Sequence, residues 1–506
     1  MSLKKAKEIE VFIRARYPII YVVSWEEERV DEYLHDVANQ LGKKLFLWST
    51  TRGIIPYGLS PESQKNKNPS TTDPLIALDE VFTQVEPSIY VFKDFHSFMK
   101  EISICRKLRD IANYLRNSYK SLVITSPVLV IPPELEKDMT VVDFELPDKD
   151  DLKGLLSQII QEVKNRPEIN VNLDQDTRDK IIDAATGLTL KEAENVFAKT
   201  LVMREKLDVQ SIKDILSEKK QIIRKSRLLE YYESGEDFQD VGGLENLKDW
   251  LMKRRTSFEE KARNFGLPFP RGVLLLGVQG CGKSLCAKAV AGVWNLPLLR
   301  LDMGQMFSSA VGSSEDNMRR AIKTAESISP NVLWIDELDK AFSGVQSSTF
   351  SDAGTTARVV GTFLTWLQEK NSPVFVIATA NNISMLPPEL LRKGRFDEIF
   401  YVDLPDLNER EEIFKIHIIK RKRAPGKFNI NLLAKESEGF SGAEIEQCII
   451  SALYDAFAEG RDLTSEDIIS NIKVTVPLSE TMKEEIGKSR NWAQGRARIA
   501  SQRGGD

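Results

Sequence analysis

Eight residues constrain the fold of this chain more than any others: Gly277-Val278-Gln279-Gly280-Cys281-Gly282-Lys283-Ser284, between the apolar run Val273-Leu274-Leu275-Leu276 and a helix-compatible alternation from Leu285 to Val293. A buried strand that turns through glycines into a helix leaves several backbone N–H groups unpaired at the positive end of the helix dipole, which is what a polyphosphate needs. The stretch is a phosphate-binding loop. The backbone from Gly277 to Leu285 is expected to cradle the phosphates of ATP, with Lys283 reaching the β- and γ-phosphates as a point charge. The Ser284 hydroxyl is expected to ligate a Mg²⁺ ion bridging the same oxygens.

At 506 residues the chain is too long for one core, so two or three domains are expected, and 42% hydrophobic with 29% charged residues is ordinary globular usage. No apolar run approaches the ~20 residues of a membrane span, and Met1-Ser2-Leu3-Lys4-Lys5-Ala6-Lys7 leads into no signal-type apolar core. Four cysteines without metal spacing argue for a reducing compartment. His35, His96 and His417 show no ligand spacing. A formal charge of −5 gives no overall basic field, so general nucleic-acid binding is not expected.

From the N-terminus, Pro18 to Ser24 reads as a buried strand, Arg29 to Leu41 as a helix, Ser60 to Pro74 as an exposed loop, Ser88–Phe92 and Ser121–Thr125 as strands with a helix from Arg106 to Ser118 between them. Two distant segments then share landmarks about 255 residues apart. Leu122-Val-Ile-Thr-Ser-Pro, Pro132-Pro133-Glu134-Leu135, Leu146-Pro147-Asp148 and Gly187-Leu-Thr-Leu-Lys-Glu192 answer to Phe375-Val-Ile-Ala-Thr-Ala, Pro387-Pro388-Glu389-Leu390, Leu404-Pro405-Asp406 and Gly439-Phe-Ser-Gly-Ala-Glu444. Either a module is duplicated or two α/β units resemble each other by chance. Under duplication, the first copy has Ser24-Trp-Glu-Glu-Glu-Arg29 where a phosphate loop belongs and Lys93 where the second has Asp336. Acids repel phosphate, so the first copy is expected to bind no nucleotide. Residues 203–237 are charge-rich with helical spacing at Ile212, Ile215, Leu216 and Ile222, and read as a charged helical linker in which Lys219 to Arg227 is a solvated face.

Beyond the loop, the apolar strand Val332-Leu333-Trp334-Ile335 ends in Asp336-Glu337. Asp336 is expected to hold the metal through water, and Glu337, pointing elsewhere, to orient the attacking water. The next strand, Val374 to Thr379, ends beside Asn381, whose amide suits a bridge between water and γ-phosphate; Leu391-Arg392-Lys393-Gly394-Arg395-Phe396-Asp397 follows. Here the chain resembles the AAA (AAA+) ATPases over about residues 238–470, counting also Asp240-Val-Gly-Gly-Leu244 and Gly439 to Glu444. Its whole layout is similar to the AAA ATPases encoded as a hypothetical reading frame in plastids and cyanobacteria.

The resemblance implies an α/β fold: a degenerate AAA-like module without a phosphate loop (1–202), the linker (203–237), a nucleotide-binding domain with a parallel sheet between helices (238–405), a helical lid (406–475) and a tail (476–506). It implies Mg²⁺-dependent ATP hydrolysis in a ring-type homo-oligomer, expected as a hexamer, with Arg392 and Arg395 as arginine fingers, in cyanobacterial cytoplasm or plastid stroma. An arginine that far along the chain lies away from its own phosphate loop and so serves a neighbour's, which supplies about 10³–10⁵ in rate.

Two segments depart from the family. Ser309-Ala310-Val311-Gly312 stands where an aromatic residue before Val-Gly would grip polypeptide, with Phe307 as a nearby alternative, and Phe342 to Thr356 is not basic. The expected function is therefore remodelling or regulation of an unidentified protein partner without processive threading; a nucleotide-gated platform with slow hydrolysis is the rival. Cys281 in the loop and Cys286 on its helix admit a redox switch or simple packing. The tail carries Lys488, Arg490, Arg496, Arg498 and Arg503 around Trp492, suiting either an acidic partner or a frayed end.

Overall fold

The computed structural model describes residues 3–59, 67–163, 174–208, 210–226, 228–232, 235–303, 306, 313–340 and 350–502. It divides into two units, Met1–Leu216 and Ser217–Asp506. The pore-type segment with Phe307, Ser309, Ala310, Val311 and Gly312, the loop from Phe342 to residue 349, residues 60–66 of the expected exposed loop and Arg503 lie outside the described residues.

Unit 1 is built on strands β1 (Ile19–Val23), β2 (Lys44–Ser49), β3 (Gly53–Pro56), β4 (Ser88–Lys93), β5 (Ser121–Ser126) and β6 (Met139–Asp143), in the order β3-β2-β4-β5-β1-β6. All pairings are parallel except β2 with β3. Alternate residues of each strand enter opposite cores: Ile19 and Tyr21 with Tyr90, Phe92, Leu122 and Ile124 on one face, Ile20 and Val22 with Ile89, Val91 and Val123 on the other. Burial on both faces is why these strands read as continuous apolar runs. β2 and β3 escaped the pattern because Lys44 is exposed and Gly53–Pro56 is a four-residue edge strand. Thr71 stitches this hairpin: its hydroxyl accepts from Ile54 N at 2.8 Å and its carbonyl accepts from Trp48 Nε1 at 2.7 Å. The expected loop ends where Asp73 caps the helix Pro74–Thr83.

Unit 2 contains β7 (Leu229–Tyr232), β8 (Gly272–Gly277), β9 (Leu298–Leu301), β10 (Asn331–Ile335), β11 (Val374–Ala380), β12 (Glu398–Val402) and β13 (Arg498–Ile499), in the order β13-β12-β8-β11-β10-β9-β7. Taking β6-β1-β5-β4-β2 beside β12-β8-β11-β10-β9 shows one topology twice, each flanked by an antiparallel edge strand, β3 on β2 and β7 on β9. The agreement extends to backbone detail: the residue after β4 is Asp94 at φ 52°, and the acidic turn after β10 holds Glu337 at φ 50°, both in the left-handed region that non-glycine residues seldom enter. The registers refine the correspondence by one residue. Lys93 lies beside Thr125, and Ile335 beside Ala378, which puts Asp336 level with Thr379. Thr125, rather than Ser126, therefore occupies the place of Thr379.

The stretch expected as a linker holds the helix Ser211–Ser226 and β7, and Lys219, expected on a solvated face, is buried. Four helices, Leu407–Lys420, Ile430–Glu436, Gly442–Ala458 and Ser465–Val474, close a separate apolar cluster around Phe414, Phe440, Ile445 and Ile468. The tail is not frayed over its described residues. Its helix Lys483–Ala493 packs Trp492 and Ala493 against the sheet, β13 pairs with β12, and Arg490 grips both oxygens of Asp403 at 2.9 and 3.0 Å.

Candidate active site

β8 ends at Gly277, and the helix Lys283–Trp294 can begin after only five intervening residues because glycine permits the turn. At Gly277, φ 139°, an added Cβ would stand 1.9 Å from the Val402 carbonyl oxygen; at Gly280, φ 75°, it would meet Ala443 and Ser441 at 3.0 Å. The loop is thus seated against β12 and against the first turn of the helix Gly442–Ala458, where Ala443 N donates to Gly280 O at 3.0 Å. Residues 240–244 close the same place. Gly243 N donates to Glu412 at 3.0 Å and Leu244 N to Glu409 at 3.3 Å, while Val241 approaches Gly282.

Lys283 lies folded into the loop, 5% exposed, donating to the carbonyls of Gly277 at 2.9 Å and Val278 at 2.7 Å. Burial with only neutral acceptors pulls its pKa down to about 8. Ser284 Oγ donates to Asp336 Oδ1 at 2.9 Å, which brings together the two residues expected at the metal. Thr379 Oγ1 donates to the same carboxylate oxygen at 2.6 Å and accepts from Glu337 N at 3.0 Å. Thr379 was legible only as the end of a strand; nothing in its spacing marks a hydroxyl aimed at the acids. Glu337 turns away from Asp336 and pairs with Lys340 at 2.6 Å. Asp339 is buried and accepts from Asn382 N at 3.0 Å, tying the loop after β11 to the acidic turn. Asn381, half-buried, sits on that loop at the same carboxyl edge of the sheet.

Arg392 and Arg395 are not part of this cluster. Arg395 donates to Glu389 O, Arg271 donates to Gly394 O, and Asp397 accepts from the N–H groups of Arg271 and Gly272 at 2.8 and 3.1 Å. The arginine segment is therefore pinned to the first residue of β8, and the phosphate loop leaves the strand's other end, about 16 Å away at ~3.3 Å per residue. Arg392 is exposed.

Neither Cys281 in the loop nor Cys286 on its helix is activated. Desolvation raises both Cys281 and Cys286 to about 12, so the thiolate a redox switch needs is disfavoured.

In unit 1 the corresponding edge is filled by its own charges. Only three residues separate β1 from the helix Glu27–Gln40, too few to form the cradle. Glu26 Oε1 accepts from Leu190 N at 2.6 Å at the start of the helix Leu190–Arg204, and Glu26 Oε2 pairs with Arg29 at 2.8 Å, which also holds Asp151 at 3.0 Å. Lys93 pairs with Asp31 at 2.6 Å and Glu27 at 3.2 Å. From the turn where a phosphate loop would lie, a carboxylate thus reaches the start of the helix Leu190–Arg204, and an ammonium takes the metal acid's place.

Comparison with known proteins agrees with this geometry. Residues 273–404 match the ATPase family associated with various cellular activities (AAA), and 427–470 an AAA+ lid domain. Residues 5–144 and 150–226 match the N-terminal and second domains of SpoVK-like AAA ATPases. The chain is 43% identical over 500 residues to the AAA domain-containing protein ycf46 of Guillardia theta, covering 98% of this chain and 96% of that protein. Identity to ycf46 of Trieres chinensis is 43% over 505 residues, covering 99% of each. A proteasome-activating nucleotidase of Saccharolobus islandicus is 29% identical over 371 residues, 71% of this chain and 87% of that protein. End-to-end identity at that level, on a sheet topology and loop of this kind, means that the chain belongs to the AAA ATPases, within the ycf46 family.

Proposed function

We propose that the protein is a Mg²⁺-dependent ATPase that works as a ring-type homo-oligomer, expected as a hexamer, and remodels or regulates a protein partner. The observation that carries this reading is the Ser284–Asp336–Thr379 cluster beside the loop of Lys283, with Glu337 one residue beyond. Lys283 would exchange its two carbonyl acceptors for phosphate oxygens, and the Gly277–Leu285 backbone would surround them. Ser284 and Asp336 offer the oxygen donors that Mg²⁺ takes, and the ion would supply charge neutralisation across the β- and γ-phosphates. Glu337, freed from Lys340, would orient the attacking water, with Asn381 beside it.

The separation of Arg392 and Arg395 from their own loop supports a trans role, in which each site is completed by the next subunit. Unit 1, with its cleft neutralised internally, supports the reading of residues 1–202 as a nucleotide-free docking module joined through 203–237. Ala310, in place of an aromatic grip, supports action without processive threading. No described helix is long and apolar enough to cross a membrane, which is compatible with the expected cytoplasmic or stromal setting.

The Lys340–Glu337 pair favours one rival, a nucleotide-gated platform in which Glu337 is held by Lys340 and slow hydrolysis only times a conformational state. Turnover separates the two: partner-stimulated hydrolysis supports remodelling, whereas nucleotide-dependent partner binding with negligible turnover supports the platform. Affinity capture with Glu337→Gln, which should hold ATP and its client together, tests for the partner. Full ATPase activity in Glu337→Gln would remove the assignment of the water-orienting residue.

A further inference from the structure

We propose that Thr379 is a positioning residue that sets the metal-directed acid and the water-directed acid from a single hydroxyl. A threonine hydroxyl has one hydrogen to donate and lone pairs to accept. Here the hydrogen goes to Asp336 Oδ1 at 2.6 Å, and a lone pair takes the N–H of Glu337 at 3.0 Å. The first bond fixes the rotamer of the Asp336 carboxylate. The second holds the N–H of Glu337, whose left-handed turn, φ 50°, carries its side chain away from the metal acid. Thr379 is 2% exposed, which shields both bonds from solvent. With Ser284 Oγ also donating to Asp336 Oδ1 at 2.9 Å, one carboxylate oxygen carries two hydrogen bonds and its orientation is doubly determined.

Unit 1 supplies an independent comparison. Strand register places Thr125 beside Lys93 as Thr379 lies beside Asp336. Lys93 is a donor without acceptor capacity. It turns to Asp31 and Glu27 instead, and the buried Thr125 hydroxyl has no hydrogen-bond partner among the described residues. The hydroxyl at this register position is engaged where an acid faces it and idle where a lysine does. An idle buried hydroxyl costs stability, so the position makes sense as a part of the acid pair that outlived it in the degenerate copy.

This inference rests on the Mg²⁺–ATP reading above, and the experiment distinguishes the two. Calorimetry with a non-hydrolysed ATP analogue would compare the affinity in excess Mg²⁺ with that in EDTA, using full-length wild type, Thr379→Val and Thr379→Ser. The wild type should bind more tightly with Mg²⁺. Thr379→Val keeps the shape and removes the donor, and should lose about tenfold or more of that tightening, the scale of one hydrogen bond to a charged acceptor, while binding in EDTA stays the same. Thr379→Ser should restore it. If Thr379→Val does not fold, Thr379→Ala carries the same comparison. Wild-type tightening in Thr379→Val, or equal losses with and without Mg²⁺, would overturn the positioning role. Absence of tightening in the wild type would overturn the Mg²⁺–ATP reading itself and this role with it.

Discussion

Occupying the phosphate loop should change the charge state of Lys283, and the size of that change follows from its surroundings. In the free protein its pKa is depressed from 10.5 to about 8 because the ammonium is buried against two carbonyls. A shift of that size corresponds to about 3 kcal/mol of differential interaction. The sign is fixed by the depression. Below pH 8 the folded protein bears the full penalty of a buried charge; from pH 8 to 10.5 the penalty is relieved as the folded form gives up its proton before the unfolded form does. Stability contributed by this group therefore rises across that window. Bound triphosphate reverses the balance by placing anionic oxygens at the ammonium, returning its pKa toward or above the ordinary lysine value. At pH 8.5 binding should take up about three quarters of a proton per site, against about a tenth at pH 7. Isothermal titration in buffers of different ionisation enthalpy measures this directly. Phosphate oxygens titrate near pH 6, and Cys281 and Cys286 near 12, so neither confuses the window. Lys370 is also lowered to about 8, but it caps Pro270 and Val374 at the opposite end of the sheet. Lys283→Arg, which stays charged, should show no uptake. Uptake under about 0.2 proton at pH 8.5 in the wild type, or the same uptake in Lys283→Arg, would refute the reasoning.

Lys283→Ala should abolish ATP binding in the full-length protein, whereas Glu337→Gln should bind ATP and turn it over at least tenfold more slowly, as read by filter binding and phosphate release. Binding stoichiometry should be one nucleotide per chain, and any saturable micromolar site left in Lys283→Ala would mean that unit 1 binds nucleotide after all. Specific activity should rise with protein concentration, and mixing inactive Arg392→Ala with inactive Lys283→Ala chains should restore part of it; activity independent of concentration from a particle that stays monomeric with ATP would rule out action across an interface. An unfolded, end-tagged chain fused to a stable fluorescent domain should keep its fluorescence with ATP present, and ATP-dependent loss abolished by Phe307→Ala would show threading with Phe307 as the grip.

The legible parts were those in which backbone chemistry dictates residue type. Gly277 announces itself because the Val402 carbonyl forbids a Cβ and Gly280 because its φ of 75° disfavours one, and β8, β10 and β11 because burial on both faces demands apolar runs. Hidden parts depend on partners distant in sequence. The hydroxyl of Thr379 matters only because β11 pairs with β10 in one register, and a shift of one residue would send it to the other face. Likewise Arg490 looked like one cation of a basic tail until Asp403, 87 residues earlier, supplied its partner. The strand β13 is two residues long and carries no periodic signal at all.

The two copies of the fold solve one electrostatic problem in opposite ways. A strand–turn–helix edge exposes N–H groups and gathers charge, and it is stable only when that charge is answered. Unit 2 keeps Gly280 against the first turn of Gly442–Ala458 and leaves the Lys283 ammonium on two neutral carbonyls, where an incoming anion would answer it better. Unit 1 has the answer built in: Glu26 reaches Leu190 N across 164 residues and is itself neutralised by Arg29, with Asp151 on the guanidinium's other side. Its helix Leu190–Arg204 is thereby tied to the β1 turn without a ligand. Glu26→Ala should release that helix and leave Arg29 facing Asp151 alone, seen as faster amide exchange at residues 190–193, while ATP binding in unit 2 is unchanged. Unaltered exchange in Glu26→Ala would mean that packing around Val196 and Phe197 holds the helix, and that the carboxylate only fills space.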